Sequence, residues 1–68
     1  SEDSTQLDVK SEQGLYKQAK QFLDMGKTDK ARSKFEEFIE LYPGSLNADN
    51  ARFWVADSYY RDKWYEKA

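Results

Sequence analysis

The chain has no cysteine and no histidine. Without thiols it forms no disulfide. Without imidazole or thiolate it also lacks the common acid–base and nucleophilic catalysts and the usual zinc ligands. Carboxylates are left as candidate acids or ligands. Their densest group, Glu36, Glu37 and Glu40, falls among the polar positions of a helical pattern, where a solvated surface accounts for it. Gly14 and Gly26 stand alone and make no phosphate-cradling loop. Nothing in this inventory predicts an enzyme or a cofactor. A dominant charge is lacking too: 11 basic and 13 acidic side chains are interspersed, for a net charge of -2, without the basic stripe of a nucleic-acid binder. No apolar run approaches the roughly 20 residues of a membrane span, so no membrane insertion is expected. No signal peptide is recognisable, as would also hold for a domain cut from a longer precursor. The lack of cysteine fits a reducing or an oxidising compartment equally.

Aromatic residues, by contrast, are abundant. There are 11, and six of them (Phe53, Trp54, Tyr59, Tyr60, Trp64 and Tyr65) lie in the last 16 residues. A chain of 68 residues makes at most one small domain with a modest core. Lacking disulfides, it must draw stability from aromatic packing between helices, from self-association or from neighbouring units.

Residues 1–10 are polar and without period, and read as a disordered leader or the end of a linker. From Ser11 onward Leu15, Ala19, Phe22 and Leu23 recur on one face of a helix. Met25-Gly26 closes that helix, and Thr28 is expected to cap the next. The second stripe is Ala31, Phe35, Phe38, Ile39 and Tyr42, stopped by Pro43-Gly44. Ser45 or Asn47 then caps a third helix reaching about Arg61. Its stripe is Ala48, Ala51, Val55, Ala56 and Tyr59, widened by Phe53, Trp54 and Tyr60. A tight turn at Asp62-Lys63 and a short fourth helix from Trp64 are expected to follow. No segment alternates as a strand does. The fold class is all-α.

Shifting the chain by 37 residues lays Leu15–Ala31 on Arg52–Ala68 and matches Ala19 with Ala56, Lys30 with Lys67, Ala31 with Ala68 and Phe22 with Tyr59. These matches fall on the contact positions of a helix–turn–helix. The pattern resembles the tetratricopeptide repeat: Leu15, Ala19, Phe22, Ala31, Phe35 and Pro43 stand where that family has a large residue, a small one, an aromatic, an alanine, an aromatic and a closing proline. Ala19 and Ala31 are expected at the crossing of the two helices, with Phe22 and Phe35 beside them. Three residues beyond the usual 34-residue period, placed at Gly44–Asn47, and Gln18 in place of a large aliphatic are departures that a loop and a helix face absorb. The resemblance implies antiparallel hairpins of a right-handed solenoid: a complete repeat over 11–45 and a truncated second one over 46–68, supplying a first helix and the start of a second.

The stretches KARSKFEEFIELYPGS and ADNARFWVADSYYRDKWYEKA are further similar to the carboxy-terminal repeats of periplasmic Tol–Pal cell-division coordinators, through Phe38, Tyr42-Pro43 and Asn50-Ala51…Trp54…Ser58-Tyr59-Tyr60. Lipoproteins of the outer-membrane β-barrel assembly machinery carry similar repeats. That likeness implies a periplasmic adaptor between envelope proteins. In stacked hairpins the first helix of each unit lines the concave groove. The resemblance therefore places Tyr16, Lys20 and Leu23, with Gln13 and Asp24, in a groove for a protein or peptide partner. Phe53, Asp57, Tyr60 and Arg61, with Asn50, join them from the second unit. The alternative for these aromatics is that they merely cover the hairpin junction. Tyr59, Trp64 and Tyr65 fall where the truncated second helix would pack, and are expected to mediate self-association into a homo-oligomer. A self-assembling element that binds no foreign ligand is the competing function.

Overall fold

The computed structural model describes residues 10–67, leaving out the side chains of Tyr65 and Lys67. Among these residues there are three α-helices and no strand: α1 Glu12–Asp24, α2 Thr28–Leu41 and α3 Ala48–Lys67. The leader expected at 1–10 lies, apart from Lys10, outside the described residues, as does Ala68.

Local chemistry sets the boundaries. Ser11 caps α1, its Oγ accepting from the Gly14 N–H at 3.0 Å, and Glu12 places a carboxylate in the first turn. The helix ends in a Schellman turn. Gly26 N–H donates to the Leu23 carbonyl (2.9 Å), Lys27 N–H donates to the Phe22 carbonyl (2.8 Å), and Gly26 sits at φ 76°. That turn runs straight into α2, so Lys27 takes the cap position without a side-chain bond. Thr28 is already helical and does not cap, contrary to expectation, because the turn through Met25–Lys27 leads directly into α2 and puts Lys27 at the cap. Tyr42, kept out of the helical region before the proline that follows (φ -132°, ψ 58°), closes α2 with its N–H on the Phe38 carbonyl at 2.8 Å. Ser45 then shapes the entry to α3: its Oγ accepts from Asn47 N–H at 3.1 Å and its carbonyl from Ala48 N–H at 3.0 Å.

Leu15, Ala19, Ala31, Phe35, Phe38 and Ala51 form the buried core, with Tyr16, Phe22, Leu23, Ile39, Tyr42, Trp54 and Val55 packed around it. Ala19 and Ala31 are both 0% exposed, as close helix crossing requires. The rings form one chain through all three helices: Trp54 to Phe35 at 5.1 Å, Phe35 to Tyr16 at 5.7 Å, Tyr16 to Phe38 at 5.3 Å and Phe38 to Tyr42 at 5.8 Å. Fully burying Leu15 or Phe38 contributes roughly 1.5–3 kcal/mol each. Polar contacts pin the hairpin's open end. Tyr42 Oη donates to the Lys10 carbonyl at 2.7 Å, and Ser45 Oγ to Glu12 Oε2 at 2.5 Å. The second contact joins the start of α1 to the start of α3, so these two helices run parallel, each antiparallel to the α2 they pack on.

Two expectations for α3 are corrected. No turn occurs at Asp62-Lys63; the helix is continuous from Ala48 to Lys67, so the described part of 46–68 holds one helix rather than a first helix and the start of a second. Residues 61–66 contain neither glycine nor proline to break the ladder, and Asp62 is held against α2 by a hydrogen-bonded ion pair with Arg32. The buried face also differs from the expected stripe. Ala48, Ala51 and Ser58 are buried, with Trp54 and Val55 half-buried, whereas Phe53, Ala56, Tyr59 and Tyr60 are exposed. Apolar residues run almost all round α3, and α2 covers only one side of it.

Candidate functional site

Two depressions border the helices that the groove expectation named. The first, about 600 Å³, runs along α1 past Gln13, Tyr16, Lys17, Lys20 and Asp24 and is closed by Leu46 and Asn47 at the entry to α3. The second, about 320 Å³, runs from Leu23 at the end of α1 past Thr28 at the start of α2 to Trp54, Asp57, Ser58, Arg61 and Asp62 on α3.

Of the groove residues, the structure brings Tyr16 and Lys20 together in the first depression and Leu23, Asp57 and Arg61 together in the second. Leu23 and Asp57 line the same depression although 34 positions separate them. Lys20 Nζ stands 5.8 Å from the centre of the Tyr16 ring, and Arg61 Nε is 3.0 Å from Asp57 Oδ2. Tyr16 is only half-buried but leans on Phe35 and Phe38, so its ring also belongs to the hairpin core. Phe53 and Tyr60 line neither depression; they project outward at 74% and 71% exposure.

The residues expected to mediate self-association separate as well. Trp64 is 58% exposed, and the side chain of Tyr65 lies outside the described residues. Tyr59 is tied to α2: Arg32 stacks on its ring at 4.2 Å and its Oη donates to Glu36 Oε2 at 2.9 Å. That hydrogen bond to a carboxylate raises the hydroxyl pKa above its ordinary 10.0, with desolvation and the Glu36 charge adding to it and Arg32 opposing. Arg32 itself is buried at 8% exposure. It pairs with Asp62, lies 3.6 Å from Asp29, and has a partnerless Nε.

Sequence reasoning missed Arg32, Trp54, Asp62 and Leu46. The first three carry a readable signal: Arg32, Phe35 and Ile39 form a second stripe on α2, and Ala51, Trp54, Ser58 and Asp62 the matching one on α3, at helical spacings of three and four. Leu46, 98% exposed in a loop, carries none.

Among the described residues no group of three or more His, Cys, Asp or Glu could hold a metal ion, and no helix is long and apolar enough to cross a membrane. No curated protein and no solved structure matches the chain at a significant level. A family model described as tetratricopeptide repeat matches residues 13–45, just under half of the chain, from the first turn of α1 to the loop beyond α2. Such repeats generally mediate protein–protein contacts and are typically scaffolds rather than enzymes. The match and the alanine-crossed hairpin together support the tetratricopeptide-repeat family, with residues 13–45 as the repeat unit.

Proposed function

We propose that this chain is a non-enzymatic scaffold that holds a segment of a partner protein along the side where α1 faces α3. The observation that carries this reading is the second depression. It sets an apolar wall, Leu23 and Trp54, beside the charged Asp57 and Arg61, and draws them from two separate helices. Tyr16 and Lys20 in the first depression would extend the contact along α1. A partner segment with apolar anchors and some acidic groups suits this lining. The setting we propose is the bacterial envelope, as a periplasmic adaptor of the Tol–Pal cell-division system, on the likeness carried by Phe38, Tyr42-Pro43 and the Asn50–Tyr60 helix. A lipoprotein of the β-barrel assembly machinery is the alternative within that compartment.

A photo-crosslinking residue at Lys20 and, separately, at Asp57 tests the site in an envelope extract. Both positions are expected to capture the same protein, and Lys20→Glu with Arg61→Glu to abolish the capture. Equal capture from Glu40, on the exposed side of α2, would overturn the assignment.

Self-association is a second reading, favoured by the outward aromatics of α3. It would make this helix a contact between copies of the chain while leaving the α1 side open to a partner.

A further inference from the structure

From the exposed face of α3 we infer that two copies of the chain pair through antiparallel α3 helices, crossing at Ala56. The inference rests on the self-association reading and assigns it a surface different from Tyr59, Trp64 and Tyr65. On α3, Asp49, Phe53, Ala56, Tyr60 and Lys63 recur at spacings of four, three, four and three, which makes a single stripe. All five are exposed, and the stripe lies opposite Ala51, Trp54 and Ser58, the residues that face α2. Tyr59 sits at its border and is already engaged by Arg32 and Glu36.

The occupant follows from three features. First, Ala56 corresponds by the 37-residue internal repeat to Ala19, the residue buried at the crossing of α1 with α2, yet Ala56 is exposed, with no helix across it among the described residues. A small residue at mid-helix flanked by exposed rings is the shape a crossing helix fills. Second, the charges are arranged for a second copy of this same helix. Asp49 and Lys63 each stand seven residues, about two turns, from Ala56. A two-fold axis at Ala56 therefore sets Asp49 of each copy against Lys63 of the other. Parallel pairing would instead oppose like charges, so the pattern selects the antiparallel arrangement. Asp49 also accepts from Arg52 Nη1 at 2.8 Å, but its side chain is 96% exposed and its second oxygen can meet a lysine. Third, Phe53 of one copy comes against the Tyr59–Tyr60 turn of the other, which hides the two most exposed rings. At roughly 150–250 Å² per aromatic side chain, the four outward rings of a pair hide about 400–700 Å². That is below the roughly 1,200 Å² of stable interfaces, so the pair is a weak one, forming on the order of hundreds of micromolar.

The absence of cysteine gives a clean test on the full 68-residue chain. Sedimentation equilibrium up to millimolar concentration is expected to show monomer–dimer exchange. The double variant Phe53→Ser with Tyr60→Ser should weaken it at least tenfold; it should still fold, because both rings face water. Under mild oxidation Ala56→Cys is expected to cross-link with itself. Asp49→Cys and Lys63→Cys should cross-link only when mixed, because disulfides need Cα atoms within roughly 7 Å. A chain that stays monomeric at millimolar concentration overturns both this pair and the self-association reading. A dimer that survives the double variant, or that cross-links at Asp49→Cys alone, overturns the antiparallel pair and leaves self-association standing.

Discussion

Exchanging Arg32 for methionine should cost less stability than removing its partner Asp62, although the arginine is by far the more buried of the two. The guanidinium side chain is 10% exposed, is packed on Tyr59 and has an unpaired Nε, whereas the Asp62 side chain is 50% exposed. Asp62→Ala strands a desolvated cation whose one other carboxylate within 4 Å among the described residues, Asp29, is 3.6 Å away on a 95% exposed side chain. Breaking a fully buried pair costs about 3–5 kcal/mol; with Asp62 half in water, a discount to about 1–2 kcal/mol is appropriate. Arg32→Met keeps the length of the apolar stem, removes both the buried charge and the unpaired nitrogen, and leaves Asp62 hydrated. It loses a cation–π contact of roughly 0.5–1 kcal/mol, so its net cost stays below about 1 kcal/mol. Urea unfolding followed by the fluorescence of Trp54 and Trp64 and by helical circular dichroism measures both. With a slope near 1 kcal/mol per molar for so small a chain, Asp62→Ala should lower the midpoint by about 1–2 M, and Arg32→Met by less than about 1 M. The reasoning is refuted if Arg32→Met proves as costly as Asp62→Ala, since the attraction would then exceed the cost of burying the charge. Amide exchange over residues 60–67 should quicken in Asp62→Ala, because that contact holds the end of α3 to α2.

Three further perturbations probe the fold. Phe38→Ala removes a ring that is 0% exposed and touches Tyr16 and Tyr42, at about 3–5 kcal/mol; against a total of roughly 3–10 kcal/mol for 68 residues, thermal melts should show it largely unfolded at 37 °C. Gly26→Ala should cost about 1 kcal/mol through its φ of 76° alone, because no atom lies within 4 Å of the added carbon, while Gly44→Ala, equally uncrowded and without a positive φ, should be within about 0.5 kcal/mol of neutral in the same melts. Tyr59 should ionise above pH 10; since the folded chain favours the protonated hydroxyl, that contribution is full below pH 10 and lost as pH rises through the higher folded value. Difference absorbance at 295 nm against Tyr59→Phe should show its titration moving down in Glu36→Gln.

Much of the hairpin was legible because its residues obey one rule at a time. Leu15 and Ala19, then Ala31, Phe35 and Phe38, repeat at helical spacing and point one way, and Gly26 and Pro43 end their helices by backbone geometry alone. The third helix was harder because two stripes are written on it at once. Counting Ala56, Phe53 and Tyr60 with Ala51 and Val55 merges a buried face with an exposed one, since an aromatic reads as core whether or not a helix lies across it. The Asp62-Lys63 turn was misplaced for a related reason. A polar dipeptide between aromatics looks like a break until its partner is known, and that partner, Arg32, lies 30 residues earlier. Thr28 failed as a cap because the Schellman turn already spans the gap that a capping residue would occupy.

The candidate site divides along the same line. Leu23, Asp57 and Arg61 come together because register on α2 sets α1 and α3 parallel, a consequence of the repeat that the sequence does contain. Phe53 and Tyr60 leave that group because they lie round the helix from Asp57 and Arg61, a difference that repeat arithmetic does not resolve. Three sets of side chains therefore share α3: Ala51, Trp54 and Ser58 toward α2, Asp57 and Arg61 beside Trp54 and Ser58 in the second depression, and Phe53, Ala56 and Tyr60 toward solvent. The outward set is rotated away from the other two, so substitutions in it should leave the fold and the proposed partner contact untouched. The crowding of aromatics at the end of this chain is then no excess of core residues; it is one helix supplying separate surfaces, only one of which is needed to fold.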